Sequence, residues 1–449
     1  MDFYANIFRQ PGFMLLLLAF LPPSRYQAQD ADSSRFLEVS YDTVLIDGHS
    51  YRNQIGGEFS PGKGFDVFKS RWASLNISLY GLARYVNQMT ADSDTFTDHL
   101  GRSRVTDLRN DIHWHRTFVW LTGFFYTPRL RYNVSIWGLT TTDQVLIFGN
   151  LQYFAHKALR VGVGIGPNLG SRSMQGSWPY WYASDRQMAD EFFRPGFTNG
   201  FWITGEPLPK VGYTLMLGNA LSNLGVTAAS LTRDLSQSAS VWWMPTTGEF
   251  GPRGGFSDFE IHDKVATRFG SSYTFMNDDR LNQPTNPSPA NTQVRLSDAV
   301  LLYETGSLAD GVTIQKSKYQ LLCVDAGMKY KGFALATEFY FRRLSDFKTD
   351  GGTVPFDALN DRGFYVQSSY QVIKKRLEVY GVYGTVMDEF ERNPWEVSGG
   401  LNYFPAGVRN WRINFHVIRI EKSPQSSYFG YYTAGQTGTT ISIGTDFLL

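Results

Sequence analysis

From residue 73 onward, apolar and polar side chains alternate with period two in segments of about ten residues, the length a tilted strand needs to cross a bilayer. Leu130, Tyr132, Val134 and Ile136 fall on one face of their segment, with Arg131, Asn133 and Ser135 on the other. The same holds for Leu159, Val161, Val163 and Ile165 against Arg160 and three glycines, and for Val211, Tyr213, Leu215 and Leu217. It holds again for Phe333, Leu335, Phe339 and Phe341 against Glu338 and Arg342, and for Ile413, Phe415 and Val417 against Arg412, Asn414 and His416. The pattern predicts strands over 73–86, 112–126, 130–139, 145–154, 159–166, 197–206, 210–219, 238–244, 264–276, 320–330, 333–342, 363–373, 376–386, 395–404, 411–421 and 440–449, about sixteen in all. Short links carry Pro, Gly or Lys, as at 127–129, 155–158, 207–209, 331–332, 374–375 and 405–410, with a longer one at 245–263. They all fall on one side, opposite longer loops at 167–196, 220–237, 277–319, 343–362 and 422–439. An all-β fold follows: a closed antiparallel transmembrane β-barrel of about 16 strands, whose closure removes the edges that lipid would leave unpaired.

Polarity separates this reading from a secreted propeller or sandwich, whose outer face is polar. Here one face is rich in Phe, Tyr and Leu and the other in Arg, Glu, Asn, Gln and Gly, inside-out for a packed core of this size. The final segment, with Ile441, Ile443, Phe447 and Leu449 on one face, resembles the closing strand of outer-membrane proteins, although its aromatic residue is third from the end. At the other terminus, Arg9, the apolar run Phe13–Leu21, Pro22-Pro23 and Gln27-Ala28-Gln29 have the layout of an export signal. The chain therefore divides into a signal peptide (1–28), an N-terminal segment on the periplasmic side (29–70) and the barrel (71–449); residues 30–70, with Glu58-Phe-Ser-Pro-Gly-Lys63, suit either a plug or a periplasmic extension.

Composition sharpens the exclusions. Lys+Arg 42 against Asp+Glu 41 gives a formal charge of +1, without the basic footprint of a nucleic-acid binder. Mean hydropathy is −0.26, and no apolar run reaches the roughly 20 residues of a spanning helix. Cys323 is the only cysteine, which excludes an intramolecular disulfide and a cysteine-rich metal site.

Three stretches resemble the phosphate-selective porin O/P family: Tyr319–Arg342, containing MKYKGFALATEFYFR; Arg362–Tyr370, RGFYVQSSY, with Arg376–Val379; and Ala189–Gly200. The resemblance covers about a third of the chain. It implies a sixteen-stranded, usually trimeric outer-membrane channel that passes anions or small solutes without an energy source. The family's ladder of basic residues does not align here residue by residue, so phosphate as substrate does not carry over.

A hollow barrel selects at a constriction, and the 167–196 loop is the candidate: Arg172, Arg186 and Arg194 stand beside Asp185, Asp190 and Glu191. Residues 184–193 suit a short helix capped by Ser184 or Asp185. Gly162, Gly164 and Gly166 on the polar face of the preceding strand would let that loop approach the wall; alternating within a strand, they are no dinucleotide fingerprint. Charge in a loop is also compatible with ordinary solvated ion pairs. Candidate pore-wall residues are Arg84, Arg131, Arg160, Arg268, Lys329, Glu338, Arg342, Arg376, Glu378, Glu396 and Arg412, in which basic groups outnumber acidic ones and favour anions. Trp178–Tyr182 and Trp242-Trp243 read as an interfacial girdle or loop packing, with a stacking track for sugars as the alternative. His113 and His115 lack a third metal ligand. His416, Asn414 and Ser442 are the only gathering that an outer-membrane hydrolase reading finds, and it would need them on the lipid face. The sequence thus predicts a non-enzymatic outer-membrane porin without cofactor or metal, embedded in outer-membrane lipids, passing small hydrophilic solutes or anions; the alternatives are a carbohydrate-preferring porin and an outer-membrane hydrolase.

Overall fold

The computed structural model describes residues 43–46, 49–52, 56–91, 94–222, 224, 233–282, 293–426 and 430–449; the expected signal peptide lies outside the described residues. The barrel strands, numbered in chain order, are β1 Ser74–Thr90, β2 Asn110–Phe125, β3 Thr127–Leu139, β4 Gln144–His156, β5 Leu159–Pro167, β6 Phe197–Leu208, β7 Val211–Gly218, β8 Ser236–Trp243, β9 Ala266–Asp279, β10 Thr313–Tyr330, β11 Phe333–Asp350, β12 Ala358–Ile373, β13 Leu377–Met387, β14 Trp395–Tyr403, β15 Trp411–Glu421 and β16 Gly438–Leu448. Each lies on one of the segments expected from the alternation, and each pairs antiparallel with its sequence neighbours. The sheet closes where β16 meets β1, from Gly438 opposite Thr90 to Leu448 opposite Tyr80. Below that point the edge of β1 is covered by the short strand Phe65–Lys69.

Alternation sets which face each residue takes. On β15, Trp411, Ile413 and Phe415 are exposed while Arg412, Asn414 and His416 are buried. Across the barrel the large apolar side chains point out, Ile147 at 70% and Phe201 at 64% exposed, whereas Lys329 and Glu396 inside are at 0%. Such a surface is stable only against lipid, because water would leave the apolar band unburied and the inner charges desolvated. Tight turns and both ends of the barrel share one rim. Apart from the 244–265 link, the longer connections occupy the other, the asymmetry of periplasmic and extracellular sides in outer-membrane barrels.

Three departures have physical causes. The β1–β2 register slips at His115, so that Ala83 faces Trp114 but Leu82 faces Arg116. This bulge turns Arg116, Phe118 and Trp120 inward while Trp114 stays outward at 49% exposure, although Trp114, Phe118 and Trp120 shared a face in the simple alternation. Strands β10 and β11 run well past their expected ends, shortening the 277–319 and 343–362 loops, because backbone pairing continues where the outward face turns polar and apolar side chains such as Ile314, Tyr319 and Leu344 remain only inside. Ile165, expected outside, is 1% exposed at the end of β5, because the positive φ (119°) of Gly164 breaks the alternation and turns it into the buried cluster with Phe59 and Phe197.

Candidate functional site: the lumen constriction

After Pro167 the chain enters the barrel, forms a helical turn α1 (Arg172–Gln175) and the helix α2 (Met188–Phe193), and rejoins the wall at Phe197. This loop is tied to several sides of the sheet. Asp185 accepts from Arg84 Nη1 on β1 at 3.4 Å and from Arg116 Nη2 on β2. The Arg172 amide donates to Glu338 on β11 at 2.8 Å, and the Met188 amide to Glu396 on β14 at 2.9 Å. Asn402 Nδ2 on β14 donates to the Tyr182 carbonyl at 2.9 Å, and Arg412 Nη1 on β15 at 3.2 Å. Gln187, rather than Ser184 or Asp185, caps α2, its Oε1 accepting from the Asp190 amide at 3.1 Å. Ser184 instead meets the Tyr431 hydroxyl at 2.7 Å, which leaves Asp185 to the arginines.

The glycines that admit the loop are on the far wall. A Cβ on Gly363 of β12 would stand 2.4 Å from the Phe193 ring. Gly162 on β5 instead makes room for a neighbour in the sheet, since a Cβ there would come within 2.1 Å of the Trp202 ring on β6.

All six expected constriction residues lie among buried groups. Arg186 Nη2 donates to Glu58 at 3.0 Å and Nε to Ser173 Oγ at 2.9 Å, and Ser173 in turn donates to Asp190 at 3.0 Å. Glu191 and Arg194 form a two-bond pair with each other, both contacts at 2.8 Å. Arg172 turns away from these carboxylates, donating to the Gly254 carbonyl at 2.8 Å and lying over the Phe256 ring at 4.3 Å. Glu58, Arg116 and Ser173 complete the network; of these only Glu58 stood out in the sequence, within Glu58–Lys63.

The basic surplus expected on the wall is offset by aspartates that share its face. Arg268 pairs with Asp325, Arg342 with Asp361 (Nε to Oδ2, 2.9 Å) and Arg412 with Asp446 (Nε to Oδ1, 3.2 Å). These acids occupy polar positions of their own strands, so summing both signs along the polar faces would have found them. Lys329 donates to the Phe250 carbonyl at 2.8 Å, and Glu338 accepts from the Tyr340 hydroxyl at 2.7 Å. Arg131 is half-buried opposite Gln152, and Arg160 covers the Phe154 ring at 5.1 Å. Glu378 accepts from Asn402 at 3.0 Å and Glu396 from the Tyr432 hydroxyl at 2.8 Å. Arg376 is not a wall residue: it is exposed in a tight turn and donates to the Pro405 carbonyl.

Trp178, Tyr180, Trp181 and Tyr182 are at most 6% exposed and pack in the lumen, which removes the girdle reading for them. Trp243, 51% exposed, does face outward. Two further segments fill the lumen from the tight-turn rim. In residues 56–61, Phe59 packs edge-on to Phe148 at 5.2 Å and Phe197 at 4.8 Å. The 244–265 link tucks in Arg253, which donates to the carbonyls of Ser60 at 2.9 Å and Trp178 at 3.2 Å. Beside Trp181 and Tyr182 lie cavities of about 20 and 30 Å³, each large enough for a water molecule or two and too small for a hydrated solute.

The other candidates resolve simply. His115 is buried with its ring nitrogens 2.6 Å from Arg84 Nη2 and 3.1 Å from Arg116 Nε, away from His113, which lies 3.6 Å from Asp111. His416, Asn414 and Ser442 face the lumen, at 3%, 2% and 1% exposure, not the lipid. Among the described residues Asp258, Glu260 and His262 come close enough to suggest a metal cluster. Their ligand atoms are engaged in hydrogen bonds: His262 donates to Asp258 within the trio and, at 2.8 Å, to Glu249, and Glu260 accepts from Arg409 at 3.0 Å.

The His262 cluster pins the 244–265 link to the β10–β11 turn, because Asp258 also accepts from the Gly332 amide at 2.7 Å. Burial pulls the imidazolium down, but the hydrogen bonds to Asp258 and Glu249 outweigh it and His262 is pushed up to about 9. A raised folded-state pKa means that this stabilisation is complete below the unfolded value of about 6.5 and lost as pH rises through about 9. His262→Asn is therefore expected to lower the urea midpoint clearly at pH 6 and hardly at pH 10; an equal loss at both would contradict the charged pairing.

The closed, lipid-clad barrel with an inward-folded loop has the architecture of outer-membrane porins, and the bacterial outer membrane is where such a surface is stable. No protein-family model and no curated protein matches the sequence. Among solved structures, outer-membrane expressed OmpT of Vibrio cholerae is similar at 10% identity and a TM-score of 0.51, over 85% of this chain and 99% of that one. DcaP, an outer-membrane channel of Acinetobacter baumannii, gives 11% identity and a TM-score of 0.48 over 85% and 99%. An anion-selective porin from Comamonas acidovorans gives 10% and 0.46 over 84% and 100%. At these identities the likeness is one of fold.

Proposed function

We propose that this protein is a passive outer-membrane porin for small hydrophilic solutes, exported by its first 28 residues and gated at the constriction built around the 168–196 loop. The observation that carries the reading is that this loop spans the lumen from Arg84 and Arg116 to Glu338 and Glu396. Pairing of Arg268, Arg342 and Arg412 with aspartates leaves little unbalanced positive charge on those parts of the wall, so any preference for anions, phosphate included, is weak. Reconstituted in planar bilayers across a KCl gradient, the protein is expected to show discrete conductance with a small reversal potential of the anion-selective sign; a cation-selective potential would remove the anion preference.

A second reading, carbohydrate passage, draws on one observation: Trp178, Tyr180, Trp181 and Tyr182 lie in the lumen, and ring faces suit sugar C–H surfaces, although these rings are packed against neighbours and must be uncovered before a sugar can stack on them. Liposome swelling with mono- and disaccharides separates the two, since sugars would then enter faster than uncharged polyols of equal size. The trimeric assembly implied by the resemblance in β10–β12 belongs to the same proposal and is checked by the unheated gel band in mild detergent, a monomer-sized band counting against it.

A further inference from the structure

Residues 56–61 were neither an expected strand nor an expected constriction, yet they sit at its centre. The segment is a hook inserted from the tight-turn rim. Upstream, Ile46 packs on Phe154, two residues before the end of β4. Downstream, Gly62 passes so close under the C-terminal residue that a Cβ would stand 2.0 Å from the Leu449 carbonyl, and the chain then joins β1 as the strand Phe65–Lys69. Between these points the chain rises to where β5 ends, with Gly56 against Pro167 and Met174 and Gly57 against the Phe197 ring. The described anchors on either side, Ile46 and Gly62, both lie at the tight-turn rim, so withdrawal toward that rim need not thread the barrel.

Its contacts divide into two kinds. The Glu58–Arg186 pair, at 3.0 and 3.2 Å with both side chains under 5% exposed, joins the hook to the 168–196 loop. Single hydrogen bonds from Asn133 to the Phe59 carbonyl (2.8 Å) and from Arg253 to the carbonyls of Ser60 and Pro61 join it to the wall and to the 244–265 link. The hook is short and has no ladder pairing inside the lumen, unlike the wall. Phe59 at the hook's tip fills the space between β4 and β6, edge-on to Phe148 at 5.2 Å and Phe197 at 4.8 Å.

We propose that residues 56–61 are a plug, locked by the Glu58–Arg186 pair, and that its withdrawal toward the periplasmic rim opens the passage. The proposal rests on the porin reading above and adds its regulation. Replacing residues 56–61 by a Gly-Ser hexapeptide keeps both anchors and is expected to raise single-channel conductance roughly threefold or more. The isosteric Glu58→Gln, which keeps the fold and removes the charge, is expected to lengthen open events without changing the fully open level. Joining Phe59→Cys to Phe197→Cys with a short bis-maleimide is expected to hold the channel in its low-conductance state, and the band shift of the unheated protein confirms that each barrel is folded. If the Gly-Ser variant and the cross-linked protein conduct like the parent, the plug is wrong and the porin reading stands. If none of the folded proteins conducts, the porin reading fails and the plug with it.

Discussion

Asp185→Ala is expected to destabilise the barrel by about 3–5 kcal/mol, because Arg84 and Arg116 then remain buried without the carboxylate they share. The side chains of all three are at most 3% exposed, so water cannot replace the missing acceptor cheaply. The loss should appear as a lower urea midpoint in lipid vesicles and as new protease cleavage within residues 168–196. Asp185→Asn, which keeps the shape and some hydrogen bonding, is expected to fall between alanine and the parent. An alanine variant with an unchanged midpoint would mean that the loop is held by its other ties, chiefly those to Glu338 and Glu396.

The second large effect is on the outer face. Val324 on β10 is 43% exposed and opposite Phe339, within the apolar band. Val324→Arg is expected to cost roughly 2–4 kcal/mol, as an arginine near the bilayer midplane does. Ile373→Arg at the tight-turn end of β12, where the side chain reaches the headgroups, should cost only about 0–1 kcal/mol. The pair is read by unfolding in vesicles of fixed lipid composition. Equal costs at the two depths would contradict the placement of the band.

These two outcomes also mark what the sequence makes legible. Strand number, strand order and the outward face follow from alternation alone, because in lipid one face of every strand must be apolar and the period of a strand is fixed at two. Where that constraint lapses, legibility lapses too. The upper parts of β10 and β11, polar on the outward face, lose the outward apolar row although their backbones stay paired, and the bulge at His115 reverses a face through a one-residue slip that composition does not mark. The inward course of the 168–196 loop was readable from its charges, but its partners were not. Asp185 reaches β1 and β2 across some seventy to a hundred residues of sequence, and the glycine that admits Phe193 belongs to β12 rather than to the adjacent β5. Residues 56–61 and 244–265 enter the lumen on ordinary loop sequences, whose burial depends on space left by the rest of the barrel.

The unequal strand lengths have an outward consequence. Strands β10 and β11 have 18 residues each and β7 and β8 only 8, which at ~3.4 Å per residue and ~40° of tilt gives heights of ~45 Å and ~20 Å. The wall thus steps up by about 25 Å within three neighbouring strands, from the β7–β8 pair to the tall β10–β11 pair, which stands above the membrane like a parapet. Antibodies or phage approaching the cell would meet the ends of this pair, at Thr313 and Asp350, ahead of the neighbouring wall.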